Sequence, residues 1–408
     1  MLDLQSARAL VLRQCEMLNP SSLPAETLPL TQSYRRVLAE PVVLDQDQPP
    51  FDRAMRDGYA IKADDLVELP VDLKRVGEVR AGDWPARVVA HTEAMQIMTG
   101  APVPVGADSI VMIENTEPIG DGRIRIHKRV RRGENFSSRG SEKSRGETLA
   151  LPGTLISSFE LAGLATVGKS SVKVYRRPIV SVLPTGDELT EVDRQPLPGQ
   201  IRNTNSYSLM AQILDSGAQP ELLALARDSE LDLRSRIEQG LKNRVLIISG
   251  GVSAGKYDLV EKVLLDCGAQ IHFESVSIRP GKPVVFATLG ERFVFGLPGN
   301  PVSTFVTFEL FVRPLLDCLQ GFLPGPLPIV HSVLLESVVD KSGRTSFLPA
   351  VLTSCHERME VLPVEWKGSA DIFSLNRVNS FLIVPEASTR LEKGSKVEVL
   401  LFSDLQFS

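Results

Sequence analysis

From Arg177 to about residue 320 the chain alternates short apolar runs with amphipathic stretches, and few folds accommodate that order. PIVSVL, ELLALAR and RVLIIS are buried-type strands, and NSYSLMAQILDSG, ELDLRSRIEQGLK and YDLVEKVLLDCG are helices. QIHFESVSI, PVVFATL and RFVFGL add further strands before one long helix, STFVTFELFVRPLLDCL. Strands that alternate with helices and are apolar throughout belong to a largely parallel sheet covered on both faces. In an open sheet of this kind, ligands bind beyond the carboxyl ends of the strands.

With 408 residues the chain is too long for one ordinary core. Residues 1–44 and 146–176 are expected to form a linking part. It opens with an amphipathic helix capped by Asp3 and closes with helical periodicity in SSFELAGLATVG. Residues 45–145 form a β-rich insert of short alternating stretches broken by Gly, Pro and Asp. Residues 177–325 are the three-layer α/β domain, and 326–408, after the linker GFLPGPLP, a small all-β, barrel-like domain.

Hydrophobic residues make up 43% and charged residues 23%, a globular composition. The net charge of −5 carries no basic face for nucleic acid. No apolar run reaches the length of a membrane span, and the first residues lack the layout of a secretory signal. Cys15, Cys267, Cys318 and Cys355 are far apart and read as free thiols, so a cytoplasmic protein is expected.

Four loops follow strands: PTGDEL (184–189), ARDS (226–229), SGGVSAGKYD (249–258) and GLPGNPVS (296–303). Glycines let the backbone approach a ligand closely, and free N–H groups at a helix start suit a phosphate. Gly250 to Lys256 fits GxxxxGK, but a P-loop needs Ser or Thr next and Tyr257 stands there. In the last loop Pro301 suits the first helical position, with Asn300 as cap. Asp187, Glu188, Asp228 and Asp258 gather at the same edge, the composition of a Mg2+–phosphate site. Two segments of the insert, PPFDRAMRDGYAI and MTGAPVPVGADSIV, hold unusual turns around Asp57-Gly58 and after Thr99.

Taken in order, AMRDGYA, MTGAPVPVGAD, GSEKSRGETLALPGT, PTGDEL, IRNTNSYSL, SGGVSAGKYD, IRPGKPVVF and FGLPGNPVSTFV resemble the molybdopterin molybdenumtransferases, the bacterial counterparts of the gephyrin E-domain. The match runs from about residue 30 to 320. The resemblance implies a four-part subunit that forms a homodimer and uses Mg2+. The implied substrates are adenylylated molybdopterin and molybdate. Molybdenum passes to the dithiolene and AMP is released. The molybdopterin adenylyltransferase that acts one step earlier is an implied partner. A binding or scaffold role is the alternative, since the gephyrin E-domain anchors partners.

By the same resemblance, catalysis falls to Asp57, Thr99, Glu142, Glu188, Asp228, Asp258 and Lys282, with Glu188, Asp228 and Asp258 on the metal. Substrate contacts fall to Thr185, Gly186, Asp187, Gly250, Gly251, Ser253, Gly255, Arg279, Pro298, Gly299, Asn300, Pro301 and Ser303. Arg344 and Ser369 join them from the tail domain. Two positions depart from the family pattern. Glu142, in GSEK, stands where an Asp is usual, and Arg279, in RPGKP, where Lys is common. A planar guanidinium fork is not equivalent to a compact ammonium.

Overall fold

The computed structural model describes residues 1–251, 259–323, 325–355 and 358–402. The chain starts with helix α1 (Leu4–Glu16), whose N-cap Asp3 accepts from the Ser6 N–H. The strand Ala25–Pro29 then pairs with Ser171–Tyr175, and Val42–Val43 with Thr148–Ala150. Helix α2 (Ser158–Thr166) completes this part and begins with a capping box between Ser157 and Glu160.

Between these segments lies a six-stranded sheet built from Gly58–Ile61, Val71–Val79, Glu93–Ile97, Ser109–Met112, Thr116–Gly120 and Arg123–Ile126. Gly58–Ile61 is an inner, wholly buried strand, with Ser109–Met112 and Glu93–Ile97 as neighbours. A Cβ at Gly58 would lie 1.9 Å from the Val111 carbonyl oxygen, so only glycine fits there.

The α/β domain contains strands β1 (Ile179–Pro184), β2 (Gln219–Leu222), β3 (Val245–Ser249), β4 (Gln270–Ser275), β5 (Pro283–Leu289) and β6 (Arg292–Leu297). Their order is β2-β1-β3-β6-β5-β4. β2, β1, β3 and β6 run parallel, and β5 is antiparallel to both of its neighbours. β3 is buried along its whole length, as a strand covered on both faces must be. Helices α3 (Asn205–Asp215), α6 (Pro301–Thr307) and α7 (Arg313–Leu319) cover one face together with α1. Helices α4 (Glu230–Gly240) and α5 (Leu259–Asp266) cover the other. The chain leaves β1 towards β2 and later enters β3 on the other side, so the order switches between β1 and β3. The loops after those strands flank the crevice such a switch opens.

Two expectations are corrected. QIHFESVSI is not one strand: β4 ends at Ser275, and Ile278–Arg279 leaves the sheet to pair with Thr345–Cys355 of the tail domain. The long final helix is also divided. A π turn over Phe308–Val312 separates α6 from α7. Pro314 explains the break, because it has no N–H to give the Leu310 carbonyl four residues back and its ring crowds that oxygen. The freed Leu310 carbonyl instead accepts from Nη1 of the buried Arg8, in α1, at 2.8 Å.

In the tail, Thr345–Cys355, Arg358–Pro363, Ile329–Leu334, Lys396–Leu401 and Ser380–Val384 pair in a ring that closes back on Thr345–Cys355. The result is a five-stranded barrel without free edges among its own strands. Its Phe347, Phe381 and Leu400 join the apolar cluster under the α/β sheet, and Phe305 of α6 packs edge-on against Phe381.

On α7, partial burial raises Asp317 from its ordinary 3.8 to about 6, against the attraction of Arg313. Between those values the folded chain holds a proton that the unfolded chain has released. Stability from this group is therefore full below about pH 4 and is lost as pH rises through about 6. Asp317→Asn should melt higher than wild type at pH 8, and the gap should close by pH 4. Thermal melts across that range check this, and a gap independent of pH would refute it.

Candidate functional site

The crevice at the β1–β3 switch is built by close backbone packing. After β1, the buried Thr185 donates its N–H to the Ser249 carbonyl at 3.0 Å. After β3, Gly250 (φ +94°) donates to the Leu297 carbonyl at 3.1 Å. A Cβ on Gly250 would stand 2.5 Å from the Thr185 carbonyl oxygen, and one on Gly251 2.6 Å from Thr185 Oγ1. These glycines let two loops meet where any side chain would separate them. The third loop is tied in by Asn205, at the start of α3. Its Nδ2 donates to Ser249 Oγ at 3.0 Å and to the Gly299 carbonyl at 2.8 Å. Thr185 Oγ1 and Asn205 Oδ1 are buried and, among the described residues, without a hydrogen-bond partner. Buried polar atoms left so are expected to meet water or a ligand.

Pro301 takes the first position of α6 and Asn300 is its N-cap residue. The Asn300 side chain does not cap the helix. Its Nδ2 donates instead to Ser369 Oγ at 2.9 Å, and the Val302 N–H donates to the Ser369 carbonyl at 3.0 Å. The last loop of the α/β domain is thereby bolted to the barrel.

Along this seam lies a cavity of about 520 Å³, lined by Arg279, Lys282, Pro298, Gly299, Asn300, Ser303, Arg344 and Ser369 together with Trp366. Eight residues expected at the site from four separate segments thus share one hollow. Three are cations, so the hollow suits a small multivalent anion. Arg279 ion-pairs with Asp340 at 2.9 Å. Burial alone would raise the Asp340 carboxyl, but the neighbouring Ser346 and Ser342 donors and the Arg279 charge outweigh it and hold it below its ordinary value.

Asp187, Glu188 and Asp228 stand exposed at the ends of β1 and beyond β2, where Asp187 Oδ1 accepts from the Asp228 N–H at 3.3 Å. Among the described residues no three metal-ligating side chains converge. Ser253, Gly255 and Asp258, with the Lys256–Tyr257 pair, lie outside the described residues.

Asp57, Thr99 and Glu142 find their partners inside the insert. Asp57 Oδ1 accepts from both the Thr99 N–H, at 2.7 Å, and Thr99 Oγ1, at 2.8 Å. The Thr99 backbone N–H, then its hydroxyl, keep the Asp57 carboxyl below the ordinary range. Glu142 pairs with Arg53 at 2.8 Å. Asn205 and Trp366 were not singled out from the sequence. Asn205 lies within the IRNTNSYSL segment, and Trp366 stands three residues before Ser369. An Asn at a helix start and a Trp in a β-rich tail have ordinary structural uses, so neither signals a site by itself.

Residues 2–168 match the family model for the MoeA N-terminal region (domain I and II). Residues 181–317 match that for a probable molybdopterin binding domain, and 332–402 that for the MoeA C-terminal region (domain IV). The chain is 34% identical over 393 residues to the molybdopterin molybdenumtransferase of Bacillus subtilis, covering 93% of this chain and 90% of that one. The same enzyme of Staphylococcus aureus is 32% identical over 387 residues, covering 93% and 92%. A solved molybdopterin biosynthesis MoeA protein from Pyrococcus horikoshii superposes with a TM-score of 0.80 at 31% identity, over 98% of this chain and 99% of that one. With all parts matched in order over nearly its full length, the chain belongs to the molybdopterin molybdenumtransferase family.

Proposed function

We propose that this enzyme transfers molybdenum from molybdate to the dithiolene of adenylylated molybdopterin and releases AMP in a Mg2+-dependent reaction. The observation that carries the reading is the seam cavity, where Arg279, Lys282 and Arg344 converge beside Ser303 and Ser369 and next to the glycine loops of the α/β sheet. Molybdate is a tetrahedral dianion, and three cations with two hydroxyls match its charge and its acceptor oxygens. The Gly250–Gly251 and Pro298–Asn300 backbones, together with Thr185 and Gly186, would receive the pyrophosphate and pterin. The orphaned Thr185 Oγ1 and Asn205 Oδ1 are the polar atoms available to orient them.

Exposed carboxylates at the loop edge fit a Mg2+ ion held by one or two protein ligands and otherwise by water and phosphate. Glu188 and Asp228, with Asp258, would hold it, and its charge would offset that of the pyrophosphate. The Asp57–Thr99 pair and Glu142 complete the site from the insert of the second subunit in a homodimer. The ionised Asp57, fixed by two donors from Thr99, is placed to orient water or accept a proton. The adenylyltransferase acting one step earlier would supply the substrate, and the cytoplasm is the compartment in which both would work. No helix among the described residues is long and apolar enough to cross a membrane.

The test supplies purified protein with adenylylated molybdopterin, Mg2+ and molybdate and follows AMP release and cofactor formation together. Equal amounts of both are expected. Absence of AMP under conditions where the Bacillus subtilis relative turns over would overturn the assignment.

A further inference from the structure

Two of the three cations of the seam cavity are held across the boundary between the α/β domain and the barrel. Ile278 and Arg279 lie opposite Thr345 and Ser346 in a short parallel ladder between the two domains. Across this ladder two arginines reach in opposite directions. Arg344 Nη1 donates to the Ile278 carbonyl at 3.1 Å, and Arg279 Nη1 to Asp340 Oδ1 at 2.9 Å. The Asp340 side chain is 2% exposed and that of Arg279 41%, so the pair has a fixed inner member and an outer member that reaches the cavity. Asp340 is itself held by the barrel. Its N–H donates to the Thr389 carbonyl at 3.0 Å, and its Oδ1 accepts from the Ser342 N–H at 2.8 Å. Its Oδ2 is buried with no hydrogen-bond partner among the described residues. One oxygen, Oδ1, thus takes both the barrel's Ser342 N–H and the Arg279 guanidinium, which fixes the guanidinium against the barrel. Phe305 of α6 packed on Phe381 keeps the two domains in register around it.

We propose that Asp340 is the positioning residue of the oxyanion cavity: it takes one arm of the Arg279 fork and thereby aims the remaining N–H groups at a tetrahedral dianion held with Lys282 and Arg344. A guanidinium can do both at once, because it carries five donors in a rigid plane and spends only one on the carboxylate. An ammonium is a single centre and cannot face both partners along a fixed plane. Arg279, where the family commonly has lysine, and Asp340 therefore form one device. Without Asp340 the guanidinium keeps its charge but loses its direction.

This inference rests on the reading that the cavity takes molybdate. The experiment is a double-mutant cycle on the full-length protein with molybdate titrated by calorimetry: wild type, Asp340→Asn, Arg279→Gln and the double variant. Asp340→Asn should weaken molybdate binding about tenfold, the scale of one misdirected charge-assisted hydrogen bond. In the assay the loss should fall on KM for molybdate, with kcat much less affected. In the Arg279→Gln background, Asp340→Asn should weaken binding no further, because its effect runs through Arg279. Affinity equal to or tighter than wild type in Asp340→Asn overturns the proposal, as does an equal loss in both backgrounds. If Asp340→Asn does not fold, Asp340→Glu carries the test, keeping the charge and displacing the carboxylate. A wild type that binds no molybdate removes the cavity reading and this inference together. Binding by wild type that Asp340→Asn leaves intact removes this inference alone.

Discussion

Asp57→Ala should lower AMP release on the order of 100-fold or more, the usual scale for a positioned acid–base group, while the protein melts as wild type does. Asp57 is exposed and its carboxylate is held by the two Thr99 donors, so deleting it removes little packing. Both Thr99 donors converge on Oδ1, which leaves Oδ2 to a further partner. That asymmetry also separates Thr99's two contributions. Thr99→Ser keeps both donors and should retain most activity, whereas Thr99→Val keeps only the N–H and should fall between Ser and the Asp57→Ala level. Steady-state AMP assays beside thermal melts check the series. A wild-type rate in Asp57→Ala would remove Asp57 from the site.

Gly58→Ala is expected to cost about 3 kcal/mol, the upper end for overpacking, because the added methyl would overlap the Val111 carbonyl at 1.9 Å on a strand paired on both sides. The carbonyl belongs to a neighbouring strand and cannot rotate away without breaking the ladder. Activity should fall with stability, since the adjacent Asp57 is aimed by the same strand. Gly77→Ala, in the same sheet, meets only Met95 Cε at 3.9 Å and should stay near wild type. Denaturant melts of both variants make the comparison. Equal stability of the two would show that the sheet yields at Gly58.

The α/β alternation was legible because β3 and β6 are apolar on both faces and their helices carry their own stop signals, as with Gly217 and Gly268, both at positive φ. The loops could be placed because in such a sheet strand ends and ligand edge coincide. Pro314 marks a break in FELFVRPLL, but the apolar pattern runs straight through it, and only the tertiary partner of Leu310 shows where the freed carbonyl goes. The departure of Ile278–Arg279 into the barrel was not legible, because an apolar residue at 278 satisfies either sheet. Asp340 was invisible for a related reason. A lone aspartate 61 residues from the arginine it serves has no local pattern to mark it.

The contact between Arg8 and the Leu310 carbonyl joins positions 302 residues apart. α1 packs most closely on the π turn and α7, which lie far along the chain from it. Until residue 310 is made, Arg8 has no Leu310 carbonyl to receive it. α1 therefore docks only once those distant partners exist, and contacts of such long sequence separation slow folding. Until that docking the nascent protein presents an apolar helical stripe of the kind chaperones engage.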